Sequence, residues 1–321
     1  MSVAYPSARQ RLQGTGRSLL SMPFAYVGTV ALLAVAYMTT PALVSPMLLL
    51  LIVRQAVPLA IAVIGQSLCV RVLSLDLSIG GVILAVSYIL TSGIIRYPEP
   101  VLLIICILFG ACIGALNAFF IVRIKASSVI VTLAMALILS GIVISLSQLR
   151  APGDAPALLR YIGQARWGIV PIAPFVWLAL FIPIGWFLRF SVFGRYVDAI
   201  GANPQAALLS GIPYARIVTT AHILSAVLAV FSAFVLVGFV GAGSLDIGRD
   251  LPLSSLVAVI LGGVTFGSGR GGAFGPAVAA FMLTFSFNLL TSLGLGEPAK
   301  LMLQGAIIAV AAASYSAQRR S

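Results

Sequence analysis

Long apolar runs separated by short polar segments constrain this chain more than any other feature of its sequence. Each run is roughly 20 residues long, enough for a helix to cross the hydrocarbon core of a bilayer. Backbone polar groups cannot stay unpaired in lipid, so such a run is helical or part of a closed barrel. The runs are too continuous for the alternating pattern of a barrel strand. They predict spans at Phe24–Met38, Leu48–Cys69, Ser78–Ile95, Val101–Val122, Ser128–Leu146, Ile172–Leu188, Ile217–Val240, Leu253–Val264, Phe274–Leu290 and Leu301–Ala313. The expected fold is an all-α polytopic membrane protein of about ten transmembrane helices with both termini cytoplasmic. It reads as one transmembrane domain over residues 1–321, with residues 1–23 as a cytoplasmic N-terminal segment.

Composition removes the soluble alternative, because only 8% of residues are charged and 61% are hydrophobic, against about 25% charged in a soluble domain. The net charge of +12 does not point to nucleic acid, since the basic residues lie mainly between apolar runs. They read as topology signals. With the N-terminus inside, twelve of the 19 basic residues fall on the cytoplasmic side, Arg71, Arg123, Lys125, Arg189, Arg195 and Arg216 among them. That puts residues 193–216 inside and the polar stretch Arg150–Gly168 outside. Arg9, Arg11 and Arg17 precede a run without an obvious small-residue cleavage site, so it reads as a retained first span.

Polar residues inside the runs are the candidates for function. Asp76 is the acidic residue closest to membrane depth, where a carboxylate is costly. Its structural alternative is a cap on the helix starting near Ser78. His222, the single histidine, is expected to hydrogen-bond between helices, and no metal ligands surround it in sequence. Gln66, Asn117 and Asn288 either line a solute path or bond across helices. Cys69, Cys106 and Cys112 show no paired spacing and read as packing residues. Gly263, Gly267, Gly271 and Gly275 recur every fourth residue, which suits close helix packing. Gly80-Gly81-Val82 and Gly262-Gly263-Val264 hint at an inverted repeat of five spans per half.

The cytoplasmic stretch after the sixth span has its own local logic. Asn203 is a good N-cap, Pro204 suits the first helical position, and Gly211 suits a left-handed end. A two-turn helix over Pro204–Ser210 follows. Alone it is too short to be stable, so it docks on a surface or simply connects two spans. The small residues Ala206 and Ala207 offer a face for close approach. No Gly-Lys-Ser/Thr phosphate loop exists, since Lys125 precedes Ala126 and Lys300 precedes Leu301.

This stretch resembles the coupling loop of the ribose-type permease family of ABC transporters. It carries Phe193-Gly194-Arg195, Ala199-Ile200-Gly201, Asn203, Ala206-Ala207 and Ser210-Gly211-Ile212 in order, with Leu208 where the family usually has Arg. Arg54-Gln55, Gly65 and Leu75-Asp76-Leu77-Ser78-Ile79-Gly80 match the family's early signature, although Leu73-Ser74-Leu75 stands where it has Gly-Gly-Ile. Gly114–Asn117, Ser128–Leu133, the glycine-rich run Val259–Gly275, Asn288 and Gln304-Gly305 extend the likeness. The family's acidic residue near Leu253–Ser255 is missing here.

The resemblance implies the membrane subunit of a binding-protein-dependent importer in a bacterial inner membrane. It would move a sugar or sugar-like solute. Its partners would be an ATP-binding cassette ATPase, a second permease, an extracytoplasmic solute-binding protein and membrane lipid. No cofactor is expected in this chain, with ATP and Mg on the partner ATPase. Coupling residues would be Gly194, Arg195, Gly201, Asn203, Pro204, Ala206, Ala207, Ser210 and Gly211; catalytic and metal-ligating residues are expected to be none. Arg150–Gly168 and Val240–Pro252 are candidate docking loops for the binding protein. The competing reading is an ion-coupled secondary transporter, for which Asp76, His222 and Arg54 are the few ionisable candidates within the spans.

Overall fold

A computed structural model describes residues 24–264, 272 and 274–320. The helices are α1 (Phe24–Thr39), α2 (Pro46–Arg71), α3 (Ile79–Thr91), α4 (Glu99–Val122), α5 (Ser128–Leu149) and α6 (Ala157–Gln164), then α7 (Ala173–Phe190), α8 (Val192–Ala202), α9 (Pro204–Leu209), α10 (Tyr214–Val240), α11 (Leu251–Leu261), α12 (Phe274–Ser292) and α13 (Glu297–Arg320). Among the described residues, α2, α4, α5, α7, α10 and α12 are long and apolar enough to cross a membrane, and α1, α3 and α11 are shorter apolar helices. The chain is therefore an all-helical, multi-pass membrane protein. Every apolar run coincides with a helix, within a few residues at most ends.

α2 and α10 form the centre. Each has 61% of its most apolar stretch buried, against 17% for α5 and 11% for α7. They run antiparallel: Gly65 lies against Ser225, and nearer the other end the Ser232 hydroxyl donates to the Pro58 carbonyl at 2.7 Å. Lipid is as apolar as Leu, so helices associate through close van der Waals contact and not through the hydrophobic effect. Glycines make that contact. A Cβ on Gly65 would stand 2.7 Å from Ser225 Cα, and one on Gly114 of α4 would stand 2.6 Å from the His222 carbonyl oxygen.

The halves exchange partners across this centre. α10 packs on α3 and α4, while α2 packs on α11 and α12. The Gly-Gly-Val pairs do not take equivalent places in these two sets of contacts. Gly80 and Gly81 begin α3, whereas Gly262 and Gly263 follow the end of α11. Of the glycines spaced by four, Gly275 lies in α12. Gly263 has φ 83° and lies in the turn that follows α11, and Gly267 and Gly271 lie outside the described residues. The close approach is instead between Gly262 and the Gly275-Pro276 backbone.

Connections gather at two ends. At one, Gly153 bonds to Thr91 and Ala155 to Gly241 through the backbone, and the Tyr88 hydroxyl donates to the Arg150 carbonyl at 2.9 Å. The polar stretch Arg150–Gly168 is not a simple loop there. It contains α6, which packs on α10 where Gly163 meets Gly238, and strand β1 (Arg166–Trp167), which pairs antiparallel with β2 (Val170–Pro171). At the other end lie Arg71, residues 72–78, residues 123–128 and α8–α9, tied together by the Arg71–Asp198 ion pair and by Leu75 N–H donating to Ser128 Oγ at 3.2 Å.

Candidate functional site

Two groups of residues stand out, one inside the helices and one outside. The inner group forms around Asp76, which is fully buried in the extended segment between α2 and α3. Its Oδ1 accepts from the Ser78 N–H at 3.0 Å and from the Ser78 hydroxyl, and its Oδ2 accepts from Ser225 Oγ on α10 at 2.7 Å. Asn117 of α4 donates to Ser78 Oγ at 2.9 Å. Thr132 of α5 accepts from the Leu77 N–H at 3.0 Å. The chain before α3 is thus stitched to three helices. The expected helix cap is not what forms: Ser78 stands at the N-cap position of α3 without a side-chain cap bond, and Asp76 accepts from the N–H of Ser78 itself, closing the turn before the helix.

His222 lies in the same cluster. Its Nε2 is 2.7 Å from Ser74 Oγ, and its Nδ1 faces Cys69 Sγ at 4.0 Å. It bonds between α10 and the segment after α2, as expected of a lone membrane histidine. The fold also brings Cys69, Asp76 and His222 together, with ligand atoms within 4.8 Å of one another, which their sequence spacing did not announce. Both Asp76 oxygens and His222 Nε2 already have hydroxyl or N–H partners, so hydrogen bonding accounts for the grouping without an ion.

The other interior candidates separate. Gln66 on α2 is fully buried, and neither its amide nitrogen nor its oxygen has a partner. Asn288 on α12 lies elsewhere, donating to Gln55 Oε1 at 2.9 Å and to the Thr284 carbonyl at 2.8 Å. Arg54 holds its guanidinium 4.6 Å from the Phe239 ring centre. Ser254 on α11, where the resemblance expects an acidic residue nearby, accepts from Gln304 Nε2 at 2.7 Å. Cys69 and Cys106 are buried, whereas Cys112 is exposed on the outside of α4.

The outer group is the α8–α9 arm. Sequence reasoning missed α8 as a helix. Ser191 caps it by accepting from the Gly194 N–H at 3.1 Å, and Gly194 sits so close under the Leu188 carbonyl that no side chain fits. α9 follows the expected plan: Asn203 Oδ1 accepts from the Ala206 N–H at 3.0 Å, Pro204 leads, and Gly211 takes φ 76°.

The expected outward face of α9 needs correcting. Ala207 is 4% exposed and packs with Val197, Ile200 and Ile217 of this chain, so it cannot meet a partner. Gly194 and Gly201 are buried as well. What points outward is Arg195, Asn203, Ala206, Ser210 and Gly211, with Pro204 half-buried. Leu208 and Leu209 join them at 55% and 90% exposed. Ala206 and Ala207, about 100° apart on the helix, fall on opposite sides of the boundary here, Ala206 exposed and Ala207 buried. The arm is held to α2 by Arg71, nearly buried, which donates to Asp198 of α8. Arg71 and Asp198 lie 127 residues apart, and nothing in the sequence marks them as a pair.

Residues 48–312 match the model of a family described as branched-chain amino acid transport system, permease component. That span is most of the chain. The chain belongs to this permease family. Among curated relatives, the fructose import permease protein FrcC of Rhizobium meliloti is 29% identical over 74% of this chain and 69% of its own. The ribose import permease protein RbsC of Haemophilus influenzae is 24% identical over 92% and 93% of the two chains. The autoinducer 2 import system permease protein LsrD of Escherichia coli is 24% identical over 79% and 77%. No solved structure matches. The motif resemblance to ribose-type ABC permeases is therefore borne out, and the α8–α9 arm lies within the matched region of this permease.

Proposed function

We propose that this permease is the membrane-spanning subunit of an ATP-driven ABC importer that moves a sugar or sugar-like solute across a bacterial inner membrane. The observation that carries the reading is the α8–α9 arm. Its inner residues are anchored in this chain, and its outer ones, Leu208 and Leu209 above all, have no cover. An apolar pair standing in water on a capped two-turn helix asks for a partner surface. The partner is an ATPase subunit that binds ATP and Mg, since this chain carries no phosphate loop. Ten spans, cytoplasmic termini, a second permease and an external solute-binding protein complete the assembly. The whole chain acts as one domain, with the arm as its coupling loop.

The substrate class rests on relatives named for fructose, ribose and autoinducer 2. Within the chain, Gln66 is the better candidate for a polar group of the solute path, because both of its amide atoms lack a partner, whereas Asn117 lacks one only at Oδ1, Asp76 is engaged with Ser78 and Ser225, and Asn288 bonds to Gln55. The same engagement argues against an ion-coupled mechanism through Asp76 and His222.

The deciding experiment is reconstitution. The purified permease with its ATPase should hydrolyse ATP faster when the sugar-loaded binding protein is added. Uptake that survives loss of the ATPase and stops when ion gradients are collapsed would establish the secondary transporter instead. Sidedness is tested by cysteines at Ile169 and Ala202, both exposed, in a Cys112→Ser background. The first should react with an impermeant reagent from outside, and the second only after the membrane is opened.

A further inference from the structure

A crevice runs between α7 and α12 with α2 as its floor. At the α8 end it opens into a cavity of about 570 Å³, bordered by Arg189, Arg195, Trp186 and Phe190. Phe181 and Phe274, with ring centres 6.3 Å apart, bridge the two helices partway along. Beyond them a second cavity of about 150 Å³, lined by Trp177, Leu178, Ala277 and Phe281, continues between the same helices. The crevice is graded along its length. Arg189 and Arg195 are exposed, and neither has a carboxylate partner among the described residues. Asp198, also on the border, is already met by Arg71. One turn of α7 before Arg189 lies Gly185, where a Cβ would meet nothing within 4 Å. Ile182 and Phe181 follow, and Trp177 lies about 18 Å from the Arg189 level at 1.5 Å per residue.

We propose that this crevice binds an anionic phospholipid, its phosphate at Arg189 and Arg195 and one acyl chain along Gly185, Ile182 and the apolar cavity. A soluble anion would use the cations and leave the apolar length unexplained. A neutral lipid would use the apolar length and leave the cations unmatched. Only a molecule with both ends fits both. Trp186 and Phe190, packed with ring centres 5.7 Å apart beside the cations, place aromatic rings at the level where membrane proteins meet headgroups. Basic pockets between helices at the cytoplasmic surface are the known form of such sites. The site draws on α7, α12 and Arg195 of α8, and leaves Leu208 and Leu209 of α9 outside it. It stands or falls apart from the substrate reading and needs only the membrane-spanning course of α7.

The test is lipid binding by the full-length chain in neutral detergent. Retained lipid is read by native mass spectrometry, and thermal unfolding is followed with phosphatidylglycerol, phosphatidylcholine or inorganic phosphate added. Phosphatidylglycerol should be retained and should raise the unfolding temperature, while the other two should not. Arg189→Gln and Arg195→Gln should each weaken retention about fivefold, the equivalent of about 1 kcal/mol per cation near an anionic surface. Arg123→Gln, just past the end of α4 and away from the crevice, should leave it unchanged. Gly185→Leu fills the open side of α7 without touching a charge and should displace the lipid. Equal stabilisation by inorganic phosphate, or no effect of Gly185→Leu on binding, would reduce the site to a simple anion patch and overturn the proposal. Disulfide-linked pairs of chains from Gly185→Cys in native membranes would also overturn it, by giving the crevice to a second permease.

Discussion

The cluster around Asp76 and the α8–α9 arm are built in opposite ways. In the cluster, both Asp76 oxygens find partners inside the chain, Ser78 before α3 and Ser225 on α10, and Asn117 of α4 donates in turn to Ser78. In the arm, the inward residues Ala207 and Gly194 are closed off, while Leu208 and Leu209 are left in the open. A polar group at membrane depth and a motif residue on a loop both attract functional readings. Satisfaction separates them. A carboxylate whose two oxygens are both met inside the chain holds a fold together, whereas apolar residues left uncovered at the surface are waiting for another molecule; Asn117 Oδ1 is the one atom of the Ser78–Asn117 contact left unmet.

The comparison breaks most readily at Leu209. A carboxylate there, placed against an ATPase surface, would be buried without a partner at several kcal/mol. At roughly 3 kcal/mol that is about a hundredfold in association. Leu209→Glu should therefore remove binding-protein-stimulated ATP hydrolysis while the permease unfolds at its normal temperature, since the residue is 90% exposed. Ala207→Glu should do the reverse and lower the unfolding temperature first, because that charge would enter this chain's own apolar cluster. Normal stimulation in Leu209→Glu would make the arm a passive connector.

Asp76 comes next. Asp76→Ala strands the Ser78 N–H and two hydroxyls in a dry interior, and a buried unmet donor costs about 1–3 kcal/mol. A loss of about 3 kcal/mol is expected, read as unfolding in detergent. Asp76→Asn keeps an acceptor for Ser78 and can donate to Ser225 Oγ, so it should cost about 1 kcal/mol and leave most transport intact. A stable but inactive Asp76→Asn complex would show that the charge itself takes part in transport. Gly65→Ala tests the frame that holds the cluster. Its new methyl meets the Ser225 backbone at 2.7 Å, and overpacking of this kind costs about 1–3 kcal/mol.

Much of this was legible in the sequence because lipid imposes simple rules. Apolar length set the helices, and Asn203, Pro204 and Gly211 set α9. What stayed hidden depends on contacts remote in sequence. Ser225 lies 149 residues from Asp76, and a serine in an apolar run has no mark that says which carboxylate it will meet. α8 was missed because its 11 residues form no long apolar run. The facing of Ala207 was misjudged because small residues suit an intramolecular contact as well as an intermolecular one.

The smallest expected effect lies where the two regions meet. Residues 72–78 join Arg71, which holds the arm through Asp198, to Asp76, which anchors α3. Leu73 begins that passage at φ 60°, in the left-handed region. A side chain there costs roughly 1–2 kcal/mol, and the ribose-type resemblance expects glycine at this place. Leu73→Gly relieves the strain. It also loosens the unfolded chain by about 0.4–1 kcal/mol and removes the contacts of a side chain only 36% exposed. The balance should be a gain of at most about 1 kcal/mol. Lys125 repeats the conformation at φ 60° between α4 and α5 with an exposed side chain, so Lys125→Gly should give the gain without the packing loss. If Leu73→Gly destabilises while Lys125→Gly stabilises, the leucine's packing outweighs its strain, and the link between arm and cluster is held by that side chain. If both stabilise but only Leu73→Gly slows transport, the strained residue keeps that link stiff enough to carry motion from the arm to the helices.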